Sequence, residues 1–440
     1  MNRFTKLLTV LAVVGASYAC NTNSAVRPDD AQLQHNNQHQ LTEVIIYDGF
    51  TPPVASRIYV YSSLAAYEAV RYLDPKSVSI AEKLNGFGKM PVPEKGMVYD
   101  YSLASLKAFF TVVRNVKVFS VDSLKAYEEK NYKAYEALMD KSAYDRSIAF
   151  GDTIAKAILA RAKKDGYAAS RGKEKFLGSN DPGMWRPTPP DYLDGVEWCW
   201  NTMKSMTLDS ASQFMPPRPP AFSKDPKSEF YKYAKEVYDI NKGLTEEQKT
   251  IAKYWDDNPF VIEHSGHMMF ANKKITPGGH WMGIAGIASA LTKADPVKTA
   301  RAYALTAIAM FDGFIACWDE KYRSKVVRPV TVINEWFDPH WAPFLQTPPF
   351  PEYTSGHSTI SAAAATVLTD LFGPAITFKD TVDLKYIGMQ REFNSFYQAA
   401  DEASISRVYG GIHYRTGVDA GGAQGRQVGV WVLTKLRMNN

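Results

Sequence analysis

Apolar residues return every three or four positions along most of this chain and hardly anywhere at every second one. That pattern restricts it to helices packed on helices. In "TPPVASRIYVYSSLAAYEAV" a proline pair opens the segment, and Val54, Ile58, Tyr61 and Ala65 follow at helical spacing. In "DPVKTARAYALTAIAMFDGFIACWDEKY" Asp295 is the expected N-cap and Pro296 the first helical residue, with Ala304, Ile308, Phe311 and Ile315 on one face. "TSGHSTISAAAATVLTDLFG" predicts a helix that opens at its Ser-Gly-His and stops at Gly373. Near the C-terminus Gly421, Gly425 and Gly429 stand four apart, a bare strip that lets another helix approach. The exception is 180–226, Pro-rich and aromatic, which reads as a long ordered connection. Strand signals are weak, and no repeat of fixed period appears. The expected fold is all-α, two packed helical bundles: an N-terminal unit over 41–240 that includes the connection, and a core over 241–440 that carries the active site.

A length of 440 residues exceeds one ordinary core, which also favours two packed units. The formal charge of +5 suits anionic ligands, but no Lys/Arg stripe with interleaved aromatics is present, which argues against nucleic acid. Arg3 and Lys6 precede an apolar run, 7–19, too short to span a bilayer and suited to a signal peptide. Two cleavages fit: an ordinary one after Ser17-Tyr18-Ala19, or a lipobox-like "SYAC" that makes Cys20 a lipid anchor. Residues 1–20 are therefore read as a signal, and the polar, Asn/Gln-rich 21–40 as a disordered linker. The expected location is outside the cytoplasm, as a periplasmic or outer-membrane lipoprotein or, alternatively, a secreted protein. No later run reads as long and apolar enough to cross a membrane. Cys199 and Cys317 allow at most one bridge, and the setting of Cys317 suggests a buried thiol. Nothing here sets an oligomeric state; a monomer is the working expectation.

Three clusters in the last third carry the chemistry: Lys321 with Arg328-Pro329, then Ser355-Gly356-His357, then Ser406-Arg407 with His413. Taken singly they read as solvated charges, an N-cap and a core histidine. Taken together they read otherwise. A helix mouth offers free N–H groups and a positive dipole end to an anion. Lys321 and Arg407 close strongly apolar helical runs, and Pro329 holds Arg328 extended. Two guanidinium forks, an ammonium, the Ser355 hydroxyl and the Gly356 N–H compose an oxyanion cage. His357 and His413 add an acid/base and a nucleophile or ligand. No carboxylate cluster accompanies them, which disfavours a Mg²⁺ or Zn²⁺ phosphatase, and there is no P-loop. His264, His267 and His280 suggest zinc, but no acid or cysteine stands at ligand spacing, so His280 is read as a support for the site or the core.

The order K-x6-RP, SGH, SR-x5-H resembles the superfamily shared by type 2 phosphatidic acid phosphatases, bacterial acid phosphatases and vanadium-dependent haloperoxidases. The resemblance implies that the cage holds phosphate or vanadate. Lys321, Arg328 and Arg407 would neutralise its oxygens, Ser355 and the Gly356 N–H would donate to it, and His357 would be the acid/base. His413 would attack phosphorus in a phosphatase or ligate vanadium in a peroxidase. Two positions depart from the family pattern. Thr354 stands where Pro is usual. Gly417 stands where Asp is usual, which leaves Asp419 as the nearest acid, either the partner of the far nitrogen of His413 or a helix N-cap. "YWDDNPF", "KITPGGHWMGIA" and "WRPTPPDYLDGVEWCW" are similar to segments of bacterial haloperoxidase-type sequences. The implied reaction is vanadate-dependent oxidation of halide by hydrogen peroxide to hypohalous acid. A vanadate-inhibited acid phosphatase working through a phospho-histidine is the alternative. An anion-binding protein without turnover is a third reading, disfavoured by His357. Trp318 lies one helical turn before Lys321, and Phe350 and Tyr353 just ahead of the cage. An aromatic wall suits a large, weakly hydrated halide, and the resemblance, whose exported bacterial members look like iodoperoxidases, implies iodide first and bromide second, with chloride, the hardest to oxidise, least.

Overall fold

A computed structural model describes residues 29–437 apart from 260, 266, 267 and 272, and the side chains of 262–271 are not described. The signal segment, Cys20, linker residues 21–28, His267 and the side chain of His264 lie outside the described residues. The N-terminal half contains α1 (Asp30–Asp48), α2 (Pro52–Val70), α3 (Tyr101–Asn115), α4 (Lys125–Glu136), α5 (Lys141–Ala162) and the single turn α6 (Tyr167–Ser170). After the connection come α7 (Glu229–Lys242), α8 (Glu246–Tyr254), α9 (Pro277–Leu291), α10 (Pro296–Ser324) and α11 (Pro329–Trp336). The chain then forms α12 (Gly356–Phe372), α13 (Leu384–Ile387), α14 (Phe396–Tyr409) and α15 (Arg415–Arg437). Two short antiparallel ribbons are the strands among the described residues: β1 (Ile262–Ser265) with β2 (Met268–Ala271), and β3 (Phe378–Asp380) with β4 (Arg391–Phe393). The fold is all-α.

Helix boundaries follow local chemistry. Asp295 Oδ1 accepts from the Lys298 N–H at 2.9 Å and Pro296 opens α10. Ser355 Oγ accepts from the Ser358 N–H at 3.3 Å and opens α12, which ends at Gly373. Such caps contribute about 1 kcal/mol each. Burial decides where the helices sit. Ile308, Phe311 and Ile315 of α10 are fully buried, each contributing roughly 1.5–3 kcal/mol. All of α2 is buried, packed on α3 and α10, and one apolar core runs from Leu33 to Val432 through both halves. α12 packs against α10, α14 and α15. The glycine strip makes the last contact close: a Cβ on Gly425 would stand 2.0 Å from the Thr359 carbonyl oxygen, and one on Gly421 2.8 Å from that of Ser355.

Two expectations are corrected. Residues 30–40 are not a linker but the first half of α1, capped by Asp29, whose Oδ1 accepts from the Gln32 N–H at 2.8 Å. Their polar composition misleads because several of these amides are themselves buried, some of them hydrogen-bonded inside the protein. Gln34 Nε2 donates to Ser105 Oγ at 3.0 Å, and Asn37 Oδ1 accepts from Tyr127 Oη at 2.8 Å. Second, α10 is long and apolar enough to cross a membrane, contrary to the reading of the sequence, and lies almost wholly inside the protein.

The connection between the halves is ordered through its aromatics. Trp185 and Trp200 are fully buried. The Val196 carbonyl accepts from Trp318 Nε1 at 3.2 Å and Tyr322 Oη at 2.7 Å, and its N–H donates to the Pro349 carbonyl at 2.9 Å. It therefore braces the end of α10 and the loop ahead of α12. Cys199 and Cys317 are free and buried.

Candidate active site

The end of α10, the start of α11, the mouth of α12 and the end of α14 converge on one buried cleft. Lys321 has no exposed surface, and its Nζ donates to the carbonyls of Pro351 at 2.8 Å and Glu352 at 3.0 Å. Arg328 keeps the extended backbone that Pro329 imposes, at φ −75° and ψ 151°. Its Nε donates to the Phe350 carbonyl at 2.8 Å and its Nη1 to that of Ile412 at 2.7 Å. Arg407 Nη1 donates to the Trp255 carbonyl at 2.6 Å. Ser355 Oγ accepts from Ser358 Oγ at 2.9 Å, which leaves its own proton to donate. Gly356, His357, Arg407 and His413 line a cavity of about 30 Å³, room for a few atoms and not for an organic cofactor.

Arg328 Nη2, Arg407 Nε and His357 Nε2 are buried without a partner. A buried donor left unmatched costs about 1–3 kcal/mol, more when charged. Burial pushes Lys321 down to about 7, and the neighbouring Arg328 adds to it. Burial likewise pushes Arg328 down to about 10, with Arg407 adding to it. A cationic donor set short of acceptors fits a compact oxyanion with several oxygens, phosphate or vanadate, and does not fit a bare cation.

His413 Nδ1 lies 2.7 Å from Glu352 Oε1, and its Nε2 lies 3.1 Å from Arg328 Nη1. A guanidinium can only donate, so Nε2 carries the lone pair and Nδ1 the proton that Glu352 accepts. Burial, then Arg328 and Lys321, hold the imidazole well below its usual range. His413 is therefore neutral, in the tautomer whose Nε2 can ligate a metal. Glu352 is fully buried and pushed up to about 7 by that burial, with Arg328 and Lys321 acting the other way.

Glu352 answers the question left at Gly417. A Cβ on Gly417 would stand 2.2 Å from Glu352 Oε1. The carboxylate therefore comes from the loop before α12, and α15 carries a bare glycine where it makes room. Asp419 is neither that partner nor an N-cap. It lies inside α15, exposed, with the charge of Arg415 acting on it. The signal for Glu352 was a lone acid among "PPFPEYTSGH", three residues before Ser355.

His357 stands in the first turn of α12. Burial, then the charge of Arg407, hold it well below its usual range, while the Trp255 carbonyl acts in the opposite direction. It is a neutral base at ordinary pH. Trp318 and Phe350 line the cavity with ring centroids 5.0 Å apart, beside Phe314 and four prolines: Pro52, Pro259, Pro277 and Pro348. Phe350 also backs two cations, 5.0 Å from Lys321 Nζ and 5.1 Å from Arg328 Cζ. Tyr353 turns away: its hydroxyl donates to the Pro217 carbonyl at 2.6 Å. His280 does have acids around it, contrary to the expectation from spacing. Asp257, Asp380 and Asp383 reach it from distant parts of the chain.

Comparisons with known proteins identify the family. A family model described as the VCPO second helical-bundle domain matches residues 301–439. The crystal structure of a bacterial vanadium-dependent iodoperoxidase is 44% identical at a TM-score of 0.87, covering 92% of this chain and 96% of that one. A holo-type bacterial vanadium-dependent chloroperoxidase is 20% identical at a TM-score of 0.67, covering 89% and 95%. Its apo-type counterpart is 20% identical at a TM-score of 0.68, covering 88% and 94%; these two likenesses speak to the fold alone. A comparison with curated proteins returns no match. With a relative at 44% identity aligned along nearly the whole of both chains, the chain belongs to the vanadium-dependent haloperoxidases.

Proposed function

We propose that this haloperoxidase uses hydrogen peroxide to oxidise iodide in preference to bromide, with chloride last, and that vanadate is held by Lys321, Arg328, Ser355, Gly356, Arg407 and His413. The reading is carried by one observation: buried donors of Arg328 and Arg407, and the free Nε2 of His357, lack partners around the cleft lined by His413, whose lone-pair nitrogen Arg328 fixes. Bound vanadate supplies a Lewis-acidic centre that activates peroxide toward a halide nucleophile. The protein does the rest. The three cations hold the charge of the oxyanion, Ser355 and the Gly356 N–H orient its oxygens, and Glu352 keeps His413 in the ligating tautomer. His357, neutral and unpartnered at Nε2, takes a proton from incoming peroxide and returns one to the leaving oxygen. Lys321 would set its positive charge beside an oxygen of the bound group.

The choice of iodide is supported by the wall of Trp318, Phe350 and Phe314, which offers no hydrogen-bond donor to a strongly hydrated anion, and by the iodoperoxidase relative. The iodoperoxidase relative likewise favours the peroxidase reading over the acid phosphatase alternative. Purified protein incubated with vanadate should form triiodide from peroxide and iodide, more slowly hypobromite, and least hypochlorite. Phosphate release from a phosphomonoester that vanadate abolishes, with no halide oxidised, would overturn the reading. Export, with Cys20 as a lipid anchor, is supported by Arg3 and Lys6 ahead of the apolar run. Cys20→Ala should release a membrane-held protein, and an unchanged distribution would leave plain secretion.

A further inference from the structure

Behind the cage lies a second group of buried charges. His280, in the first turn of α9, has no exposed surface. Its Nδ1 lies 3.1 Å from Asp257 Oδ2 and its Nε2 2.9 Å from Asp380 Oδ2. An imidazole with a carboxylate at each nitrogen donates from both, so His280 is held as the imidazolium. Its ring stacks on Trp255 at 4.5 Å with an interplanar angle of 19°, a cation on an aromatic face. Asp383 stands 3.9 Å away, and the Tyr254 hydroxyl donates to the Asp380 carbonyl at 3.2 Å. Asp257 carries a left-handed backbone, φ 38°, which a residue with a Cβ adopts only when its surroundings hold it there.

These contacts converge on residues 254–258, the segment that faces the cage. Trp255 gives its carbonyl to Arg407 Nη1, and the carboxylates of Asp256 and Asp257 act on the charge of Arg407. Asp257 and Asn258 line the cavity, and Asp256 is paired with Lys274. We infer that Asp380, His280 and Asp257 form a buried carboxylate–imidazolium–carboxylate clamp that holds the Trp255 carbonyl and Arg407 in place beside His357, and so sets the anion affinity of the cage. His280, Asp257 and Asp380 are positioning residues: they act through Arg407, which faces the oxyanion. The inference rests on the oxyanion reading of the cage.

Two measurements test it, with inorganic phosphate as the probe. Nitrogen-15 NMR of histidine-labelled protein at pH 8, with the His280 signal assigned by loss in His280→Gln, should show both ring nitrogens protonated. A neutral His280 overturns the clamp. Calorimetry with phosphate should give a 10–100-fold weaker Kd for folded His280→Gln and a smaller loss for the isosteric Asp380→Asn, which carries the test should the first variant not fold. Phosphate bound within twofold of wild type by the folded variants overturns the clamp alone. A wild type that binds neither phosphate nor vanadate removes the oxyanion reading and this inference with it. Phe109→Leu, in the core of α3, should lower Tm without changing Kd; affinity that tracks Tm there as well means that the clamp is merely structural. Stoichiometric divalent metal in the purified protein, lost in Asp383→Asn, would make the cluster a metal site and overturn the inference.

Discussion

In the N-terminal bundle, Arg57 Nε donates to Asp165 Oδ2 at 2.6 Å, and its other nitrogens reach the carbonyls of Val116 and Ala162. Arg161 beside it reaches Tyr61 Oη and the carbonyls of Asn85, Lys204 and Ser205. In the C-terminal bundle, Arg328 and Arg407 are buried as deeply, yet Arg328 Nη2 and Arg407 Nε find nothing. The chemistry is the same in both places; what differs is the number of acceptors. The first arrangement closes on itself and contributes to stability. The second is left with donors unmatched, its cost offset by the core that α10, α12 and α15 build around it, and the proposed anion would supply the missing acceptors. A matched arginine is structure, and the unmatched donors of Arg328 and Arg407 are what the proposed anion site rests on.

The largest effect that could break this contrast is His413→Ala, which should abolish vanadium retention; stoichiometric metal in the dialysed variant would contradict the assignment of His413 as the vanadium ligand. His357→Ala should keep the metal and slow turnover by roughly 10²–10⁴-fold, and unchanged turnover would remove His357 from proton transfer. Asp165→Ala in the closed network should cost about 3–5 kcal/mol in denaturant unfolding while the folded fraction binds vanadate normally, whereas Arg407→Met should leave stability nearly unchanged and cut binding. Equal stability losses would erase the distinction between the two regions. Glu352→Gln should weaken vanadate binding by about 10–100-fold, because the tautomer of His413 is no longer imposed, yet bind sulfate no worse than wild type. Parallel losses for both anions would mean that Glu352 shapes the cage as a whole and does not act through the tautomer of His413.

The smallest effect is a pH slope. Lys321 and Glu352 both titrate near 7 in the folded protein. Rising pH removes a positive charge from the first and adds a negative one to the second, and a bound anion opposes both changes. Sulfate affinity should therefore be full below pH 7 and fall as pH rises through it, with proton uptake on binding above pH 7. Lys321→Arg should flatten the slope. A pH-independent affinity in wild type would show that neither group faces the anion.

Much of the contrast was legible in the sequence, for reasons that particular residues make plain. The cage appears as ordered spacing because Lys321, Arg328, Ser355 and Arg407 each sit at a helix terminus, and helix termini have local signatures in proline, serine and apolar periodicity. Glu352 was missed because its partner is 61 residues away and the space it fills is defined by an absent side chain at Gly417. The carboxylates around His280 were missed for the same reason: Asp380 lies 100 positions on. Tyr353 and Phe350 look alike ahead of the cage, and only packing sends one to Pro217 and the other to the cleft. α1 was misread because its buried face is partly amide, and composition cannot tell a solvated amide from a matched one.

What the sequence determined by itself was the set of helices, where most of them begin and end, and the residue types that gather around an anion, since short-range backbone chemistry and periodicity set these. Which carboxylate orients His413, which arginines are matched and which are left open, and which aromatic lines the cleft were decided only when the helices packed. Those are contacts between residues far apart along the chain, and their energies depend on distances that no local pattern encodes.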